Sequence, residues 1–473
     1  MKPFRALAVA GAVVFSLAHI GSPDTIFEGN AGPYPIRVVV RTPGVVPGLA
    51  DIVIRITGGP GGVKRVTVLP LRGGLPTVAL PPPDTARAVS GDPNLLSAQL
   101  WLMSFGAYSV QVTITGDAGE GKAIVPVNSV ATRRLPLEPG MAIGLIGLGL
   151  FLFIGAITIV AAAVRESVLP PGETPDTSRR RRAWIIAGVA VVILALGLAG
   201  GRSWWSAEDS AFQRGIYRPP PFSTSVRDEG ATLRLAFDDS AAFRRGWSPL
   251  IPDHGKLVHL FLIGATDRSM AHLHPRAIDS LNFDAALPPL PAGTYHLYAD
   301  LVHETGFTQT LADTIEIGAP RSAAWRPTDP DDAWHASPED AGMRWDRPAT
   351  LKAGDQLDLH FEVPGKALEP YMGMAGHAVV ARDDGSVFVH LDPLGTIATS
   401  AQLVYELRQP GDTVRGRLGR RITEQAASAH AAHVEGETVS FPYAFPKPGR
   451  YHIWVQVKSG GRILTGAFEA EVS

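Results

Sequence analysis

Along the first third of the chain, apolar and polar residues alternate in short runs. Ile36–Arg41, Ile52–Ile56, Val63–Leu69 and Tyr108–Ile114 follow a two-residue period, which puts successive side chains on opposite faces of a strand. Gly- and Pro-rich turns separate the runs. No stretch from 23 to 130 keeps a helical period. The region 19–138 is therefore predicted to be an immunoglobulin-like β-sandwich. Its last hairpin reads Gly106-x-Tyr108-x-Val110-x-Val112.

The pattern changes at residue 141. Met141–Val164 is an uninterrupted apolar run of 24 residues, and Ala183–Gly201 is a second of 19. A bilayer core needs roughly 20 such residues, so both are predicted to be transmembrane helices. Neither carries a charge, which excludes an ion pathway within them. The loop Arg165–Arg182 holds five Arg against Glu166, Glu173 and Asp176, and this excess places it in the cytoplasm. Trp204 and Trp205 follow the second span, where an aromatic belt sits. The N-terminus reads as a signal peptide over 1–18: Lys2 and Arg5, an apolar core Ala6–Leu17, and Ser16-Leu17-Ala18 as the cleavage site. Cleavage there leaves His19 first. The expected location is a bacterial inner membrane, with both large soluble regions extracytoplasmic and 202–227 as a linker.

Beyond 228 the strand pattern returns as a repeat. Gly293-Thr-Tyr295-His296-Leu297-Tyr298 matches Gly449-Arg-Tyr451-His452-Ile453-Trp454. Upstream, His259 leads 13 positions later to His272-Leu-His274-Pro275, and His377 leads 13 positions later to His390-Leu-Asp392-Pro393. The same opening, spacing and ending predict a duplicated β-sandwich, one copy over 228–318 and the other over 348–473. The connector 319–347 is rich in Pro, Asp and Trp. The second copy carries a longer insertion, in which Thr423–Val434 is predicted to be helical with His430 and His433 one turn apart. The fold class is therefore mainly β, with three sandwich modules and two membrane helices between the first and second.

Composition narrows the chemistry. The 473 residues include no Cys, and the formal net charge is −2. Disulfides, Cys-ligated zinc and iron–sulfur clusters are excluded. The charge balance gives no basis for binding nucleic acid. Of 14 His, one is His19 and the other 13 fall between His254 and His452.

Met270, His272 and His274 share one strand face, and a hairpin turn within Gly264–Ser269 brings His259 within cross-strand reach. One thioether and three imidazoles form a set suited to copper. His254, His296 and His303 are candidates for further ligation or support, and Asp253 and Asp300 for holding ligand rings. The third module offers Met372, Met374, His377, His390 and Asp392, with Asp392 replacing a His. His19, as a mature N-terminus, is a further copper candidate through its amine and ring. His296 and His452 each follow a core Tyr and read as packing residues. His335 and His360 read as surface positions, and His430 and His433 as solvated helix positions.

These segments resemble those of the YtkA/FixH-like extracytoplasmic β-sandwiches, and the general plan is similar to the copper-resistance CopC-like domains. The residues that carry the likeness are the Gly-x-Tyr-x-Val ending, Asp253-His-Gly-Lys-Leu-Val-His259, Met270-Ala-His-Leu-His-Pro275 and Met372-Gly-Met-Ala-Gly-His377. The resemblance implies heavy-metal binding or assembly of membrane-bound oxidases.

No G-x-S-x-G, HExxH or phosphate-binding loop is present, so no catalytic residue is assigned. The leading expectation is a membrane-anchored periplasmic copper-binding protein that buffers copper or delivers it to an envelope partner. Two alternatives stand beside it: a metal-free envelope interaction scaffold and a copper-dependent oxidative enzyme.

Overall fold

The computed structural model describes residues 24–58, 62–73, 81–170, 172–238, 248–319, 325–336, 339–409, 412, 416–429, 434 and 436–473. The signal-peptide segment, His19, His430 and His433 lie outside these residues. The chain divides into two units, one made of the strand-rich regions on either side of 131–217 and the other of 131–217 itself. The strand-rich unit is mainly β, and its sheets are antiparallel.

In the first sandwich, Asp24–Ala31, Tyr34–Arg41, Gly48–Ile56, Asp92–Leu102 and Arg87–Val89 form one sheet. Asp84–Thr85, Val63–Arg72, Gly106–Gly116 and Gly119–Ser129 form the facing sheet. All four predicted runs are strands. Tyr34, Ile36, Val38 and Val40 alternate into a core shared with Ile52, Ile54, Val110 and Val112. Val39, on the opposite face, is also buried, against Ala444 of the third module. The first sandwich thus joins the third directly. Glu28 N donates to Leu394 O at 2.8 Å and Thr396 N to Ile26 O at 3.0 Å. Between them, Gly395 has φ +111, and a Cβ there would lie 2.2 Å from Ile26 O. Only glycine meets both demands.

The second unit is a pair of helices, Pro139–Glu166 and Thr177–Gly215. Pro139 opens the first, where its missing N–H costs nothing. Asp176 caps the second by accepting from Arg179 N at 2.7 Å. Both are long and apolar enough to cross a membrane. Both run past the predicted apolar spans, the second through Gly200 and Gly201 as far as Gly215.

The two repeat modules have matching plans. In the second module, Thr308–Ile317, Gly293–Val302, His259–Gly264, Met270–Leu273 and Ala333–His335 are neighbours in one sheet. It faces Phe222–Arg227, Thr232–Phe237, Asn282–Ala286 and Arg276–Ala277. In the third, Phe388–Leu391, His377–Arg382, Gly449–Ser459 and Arg462–Val472 face Arg344–Trp345, Leu357–Glu362 and Thr438–Tyr443. The structured modules therefore reach beyond 228–318 and 348–473. Phe222–Arg227 falls in the predicted linker, and the connector gives a short edge strand to each sandwich. Two- and three-residue strands are too short to show a period.

The insertion of the third module holds two helices, Thr399–Leu407 and Arg417–Ala429. The second overlaps the predicted one but starts six residues earlier. Its start is set from a distance. The Glu304 carboxylate accepts from Gly416 N at 2.6 Å and from Leu418 N at 2.9 Å. A carboxylate there satisfies amides that have no partner within the helix.

One sheet of each repeat module is buried on both faces. Leu260, Leu262, Ala271, Leu273 and Leu297 fill the core of the second sandwich. The alternate residues Phe261, Ile263, Met270 and Tyr298 pack against Val379, Ala381, Phe388 and Trp454 of the third. Tyr298 stacks on Phe388 with centroids 4.0 Å apart and planes 8° apart. The two sandwiches therefore meet sheet against sheet along a seam. Each large side chain buried there contributes about 1.5–3 kcal/mol, so the apolar part of the seam outweighs the roughly 1–3 kcal/mol of an unpaired polar atom. This margin lets the rest of the seam bury imidazoles.

Candidate metal centre

The predicted hairpin forms, with Gly264 N donating to Ser269 O at 2.8 Å. Phe261 pairs with His272 and Ile263 with Met270. Met270 and His272 share the seam face, but Met270 lies in the apolar cluster with Phe261 and Phe388. The imidazoles collect at the other end of the strand pair. His259, His272 and His274 are buried, and one nitrogen from each lies within 4.8 Å of the other two. The His272 ring stacks on Phe261 at 4.2 Å, which fixes its plane.

Carbonyl and carboxylate acceptors assign the protons of His259 and His274, and the orientation of the Gln456 amide sets that of His272. His259 Nε2 lies 3.1 Å from Asp253 O and donates to it. His272 Nδ1 donates to Gln456 Oε1 at 2.8 Å, and Gln456 Nε2 donates in turn to Thr465 Oγ1 at 3.2 Å. His274 Nδ1 donates to Asp332 Oδ1 at 3.1 Å, and its backbone N reaches the same oxygen at 2.7 Å. Burial, reinforced by neighbouring imidazoles, holds all three His well below their ordinary pKa. Each is therefore neutral, with one N–H and one lone pair.

His259 Nδ1 and His272 Nε2 face each other at 3.2 Å, as two lone pairs when Gln456 presents Oε1 to His272 and with a proton between them when its amide is turned over. His274 Nε2 is buried with no hydrogen-bond partner among the described residues. Three buried imidazole nitrogens that converge in this way, one of them an unpartnered acceptor, fit a cation. A tetrahedral ion with metal–nitrogen bonds of about 2.0–2.1 Å holds its ligand nitrogens about 3.3–3.4 Å apart, close to the observed 3.2 Å. Asp332 behind His274 has the place of the carboxylate that orients a ligating ring. Burial lifts its own pKa to about 6.

The third module repeats this frame 118 positions later: His377 for His259, His390 for His272, Asp392 for His274. His377 Nε2 faces Tyr371 O at 3.3 Å, as His259 Nε2 faces Asp253 O. His390 Nε2 lies 3.3 Å from His377 Nδ1. The cross-seam contacts are also exchanged. His272 reaches Gln456 of the third module, and His390 Nδ1 lies 3.5 Å from Asp300 Oδ2 of the second. Asp300 and Gln456 occupy equivalent positions, opposite His259 and His377 in their sheets. The two modules are thus related across the seam by an approximate two-fold.

Asp392 changes the outcome in this half. His377 Nδ1 lies 2.7 Å from Asp392 Oδ1, and His254 Nε2 of the second module lies 2.9 Å from Asp392 Oδ2. Burial pushes His254 down, but Asp253 and Asp392 outweigh it and raise its pKa to about 9. Burial pushes Asp392 up, but His254 and His377 hold it well below the usual carboxylate range. His390 is raised against the cost of burial, by Asp300 and Asp392. His254, His377 and Asp392 also form a group of metal-ligand type within 4.8 Å. This half already contains its own positive charge.

The remaining candidates fall elsewhere. Met372 is buried and Met374 half-buried, on the hairpin before His377. His303 donates through Nδ1 to Ser248 O at 2.9 Å and accepts from Gln309 Nε2 at 2.8 Å, which uses both nitrogens. His335 Nε2 accepts from Glu339 N at 3.1 Å. His452 pairs with Asp383. Sequence reasoning named Asp253 and Asp300 but missed Asp332 and Gln456. Gln456 was reachable from the repeat, as the counterpart of Asp300. Asp332 lies in the connector and carries no such signal.

A family model described as a domain of unknown function (DUF8832) matches residues 337–473. No curated protein matches the chain. Among solved structures, one similar chain is a Corynebacterium diphtheriae protein described as membrane anchored, at 9% identity and TM-score 0.15, covering 93% of this chain and 92% of that one. Another is red sea bream transglutaminase, at 8% identity and TM-score 0.16, covering 64% and 34%. A third is the D1–D4 ectodomain fragment of ICAM-5, at 10% identity and TM-score 0.14, covering 93% and 83%. Likeness at this level fixes no activity for the chain.

Proposed function

We propose that this chain is a membrane-anchored extracytoplasmic copper-binding protein that holds one ion between its two repeat sandwiches. His259 Nδ1, His272 Nε2 and His274 Nε2 are the ligands. The observation that carries this reading is the convergence of three buried imidazoles, one nitrogen of each within 4.8 Å of the other two, with His274 Nε2 lacking a hydrogen-bond partner among the described residues. Imidazole serves both oxidation states of copper, and zinc is the competing ion of the same geometry. The two apolar helices support membrane anchoring. The Arg-rich loop supports a cytoplasmic side for the turn between them. Burial of the ligands slows exchange, which favours buffering over rapid delivery to a partner.

The test is metal content of the full-length chain in detergent after loading with copper and desalting. About one copper per chain is expected, falling to background in the variant His272→Ala plus His274→Ala. A chain that retains no copper in either oxidation state overturns this reading and leaves the metal-free scaffold.

A further inference from the structure

The approximate two-fold extends to the hairpins that precede each cluster. Asp253 and Lys256 bond reciprocally through their backbones, as do Tyr371 and Met374, again 118 positions on. At the second position of each turn, His254 and Met372 adopt the left-handed conformation, with φ 48 and φ 50. Gly255 and Gly373 follow, with φ 82 and φ 83. A positive φ is uncommon for a non-glycine residue, so its recurrence marks the same turn built twice.

These hairpins meet at the seam. His254 donates a hydrogen bond to the backbone of Met372, its own counterpart. Two equivalent residues can touch only where the two-fold passes close to both. The side chain of His254 crosses to the third module and ends 2.9 Å from Asp392. Under the same operation the counterpart of His254 is Met372, and the counterpart of Asp392 is His274. Met372 is buried, as a side chain leaving the turn into the seam must be. Met374 is the counterpart of Lys256, whose ammonium pairs with Asp329 at 2.5 Å and Asp331 at 2.9 Å in the connector.

We infer that the Met372 thioether is the fourth ligand of the His259, His272 and His274 centre, supplied across the seam by the third module. This rests on the metal reading above and deepens it. Three neutral imidazoles and one thioether make an uncharged, soft, four-coordinate set. Thioether ligation selects Cu(I) over Zn(II). The site is then complete only when both sandwiches are docked. The ion is monovalent copper, and His254 and Met372 are one structural position with two uses.

The test uses the full-length chain loaded with Cu(I) under reducing conditions, and separately with Zn(II). X-ray absorption of the Cu(I) form is expected to show one sulfur scatterer with three nitrogens. Met372→Leu should remove the sulfur and weaken Cu(I) by roughly tenfold or more, about 1.4 kcal/mol or greater. It should leave Zn(II) affinity within about twofold. Met374→Leu should change neither. Leu nearly matches Met in volume, and the wild-type spectrum stands even if the variant folds poorly. Copper bound through nitrogen alone, with Cu(I) affinity unchanged in Met372→Leu, overturns this inference and leaves the three-histidine centre standing. Absence of any bound ion overturns both.

Discussion

The two halves of the seam are built on one frame and differ at two decisive positions. In the second module the third group is His274; in the third module it is Asp392. The all-imidazole half is neutral, and two of its ring nitrogens face one another at 3.2 Å. The carboxylate half holds a buried ion pair with His254 at 2.9 Å. Duplication gave both halves the same reach across the seam. Two exchanges, Asp392 for His274 and His254 for Met372, leave one half in need of a cation and give the other its own.

The comparison breaks most readily at Asp392. Asp392→Ala removes the hydrogen-bonded partner of the buried His254 and leaves it only one carboxylate, Asp253, at 3.8 Å, and losing one partner of such a pair costs up to about 3–5 kcal/mol. Urea unfolding of the metal-free chain, read by tryptophan fluorescence, should show a loss of that size. His274→Ala removes no ion pair, so in the metal-free chain its cost should be clearly smaller. Equal losses would erase the difference between the halves.

The pH profile separates them next. The neutral half must stay unprotonated, since His259, His272 and His274 lie well below their ordinary pKa when folded. Their contribution is present above the unfolded value near 6.5 and is lost as pH falls below it, with a slope of at most about 4 kcal/mol per pH unit for three groups. His254 behaves oppositely. Its pKa is raised to about 9, so its contribution is full below about 6.5 and is lost as pH rises through 9. Metal-free stability should peak between these limits, and the stability added by copper should be lost at the acid end, where protons compete for the same three nitrogens. A copper stabilisation that persists undiminished at the acid end would separate the histidines from the metal.

The smallest effect expected is at Asp332. Asp332→Asn keeps a hydrogen-bond acceptor for His274 but removes the carboxylate, and groups that orient a ligand typically cost 10–100-fold in metal affinity. A copper-competition titration should place the loss at the low end of that range. An unchanged affinity would remove Asp332 from the account.

Much of the fold was legible from alternation alone. The strands of the first sandwich and the duplicated hairpins show a two-residue period. The seam was not legible, because a strand buried on both faces loses the contrast that marks its sides. Alternation put Met270 in phase with His272 but gives no depth along the strand, and Met270 packs among Phe261 and Phe388. His272 and His274 were readable as a local pair. Their meeting with Gln456 and Asp332 depends on contacts 184 and 58 residues apart. The start of the Arg417–Ala429 helix was hidden for the same reason, being fixed by Glu304 more than a hundred positions earlier.

The most direct measurement is anomalous diffraction from the copper-loaded full-length chain, collected at the copper edge. The account predicts one peak in the seam, about 2.0–2.1 Å from His259 Nδ1, His272 Nε2 and His274 Nε2. A seam without a peak in crystals that carry copper elsewhere would contradict it.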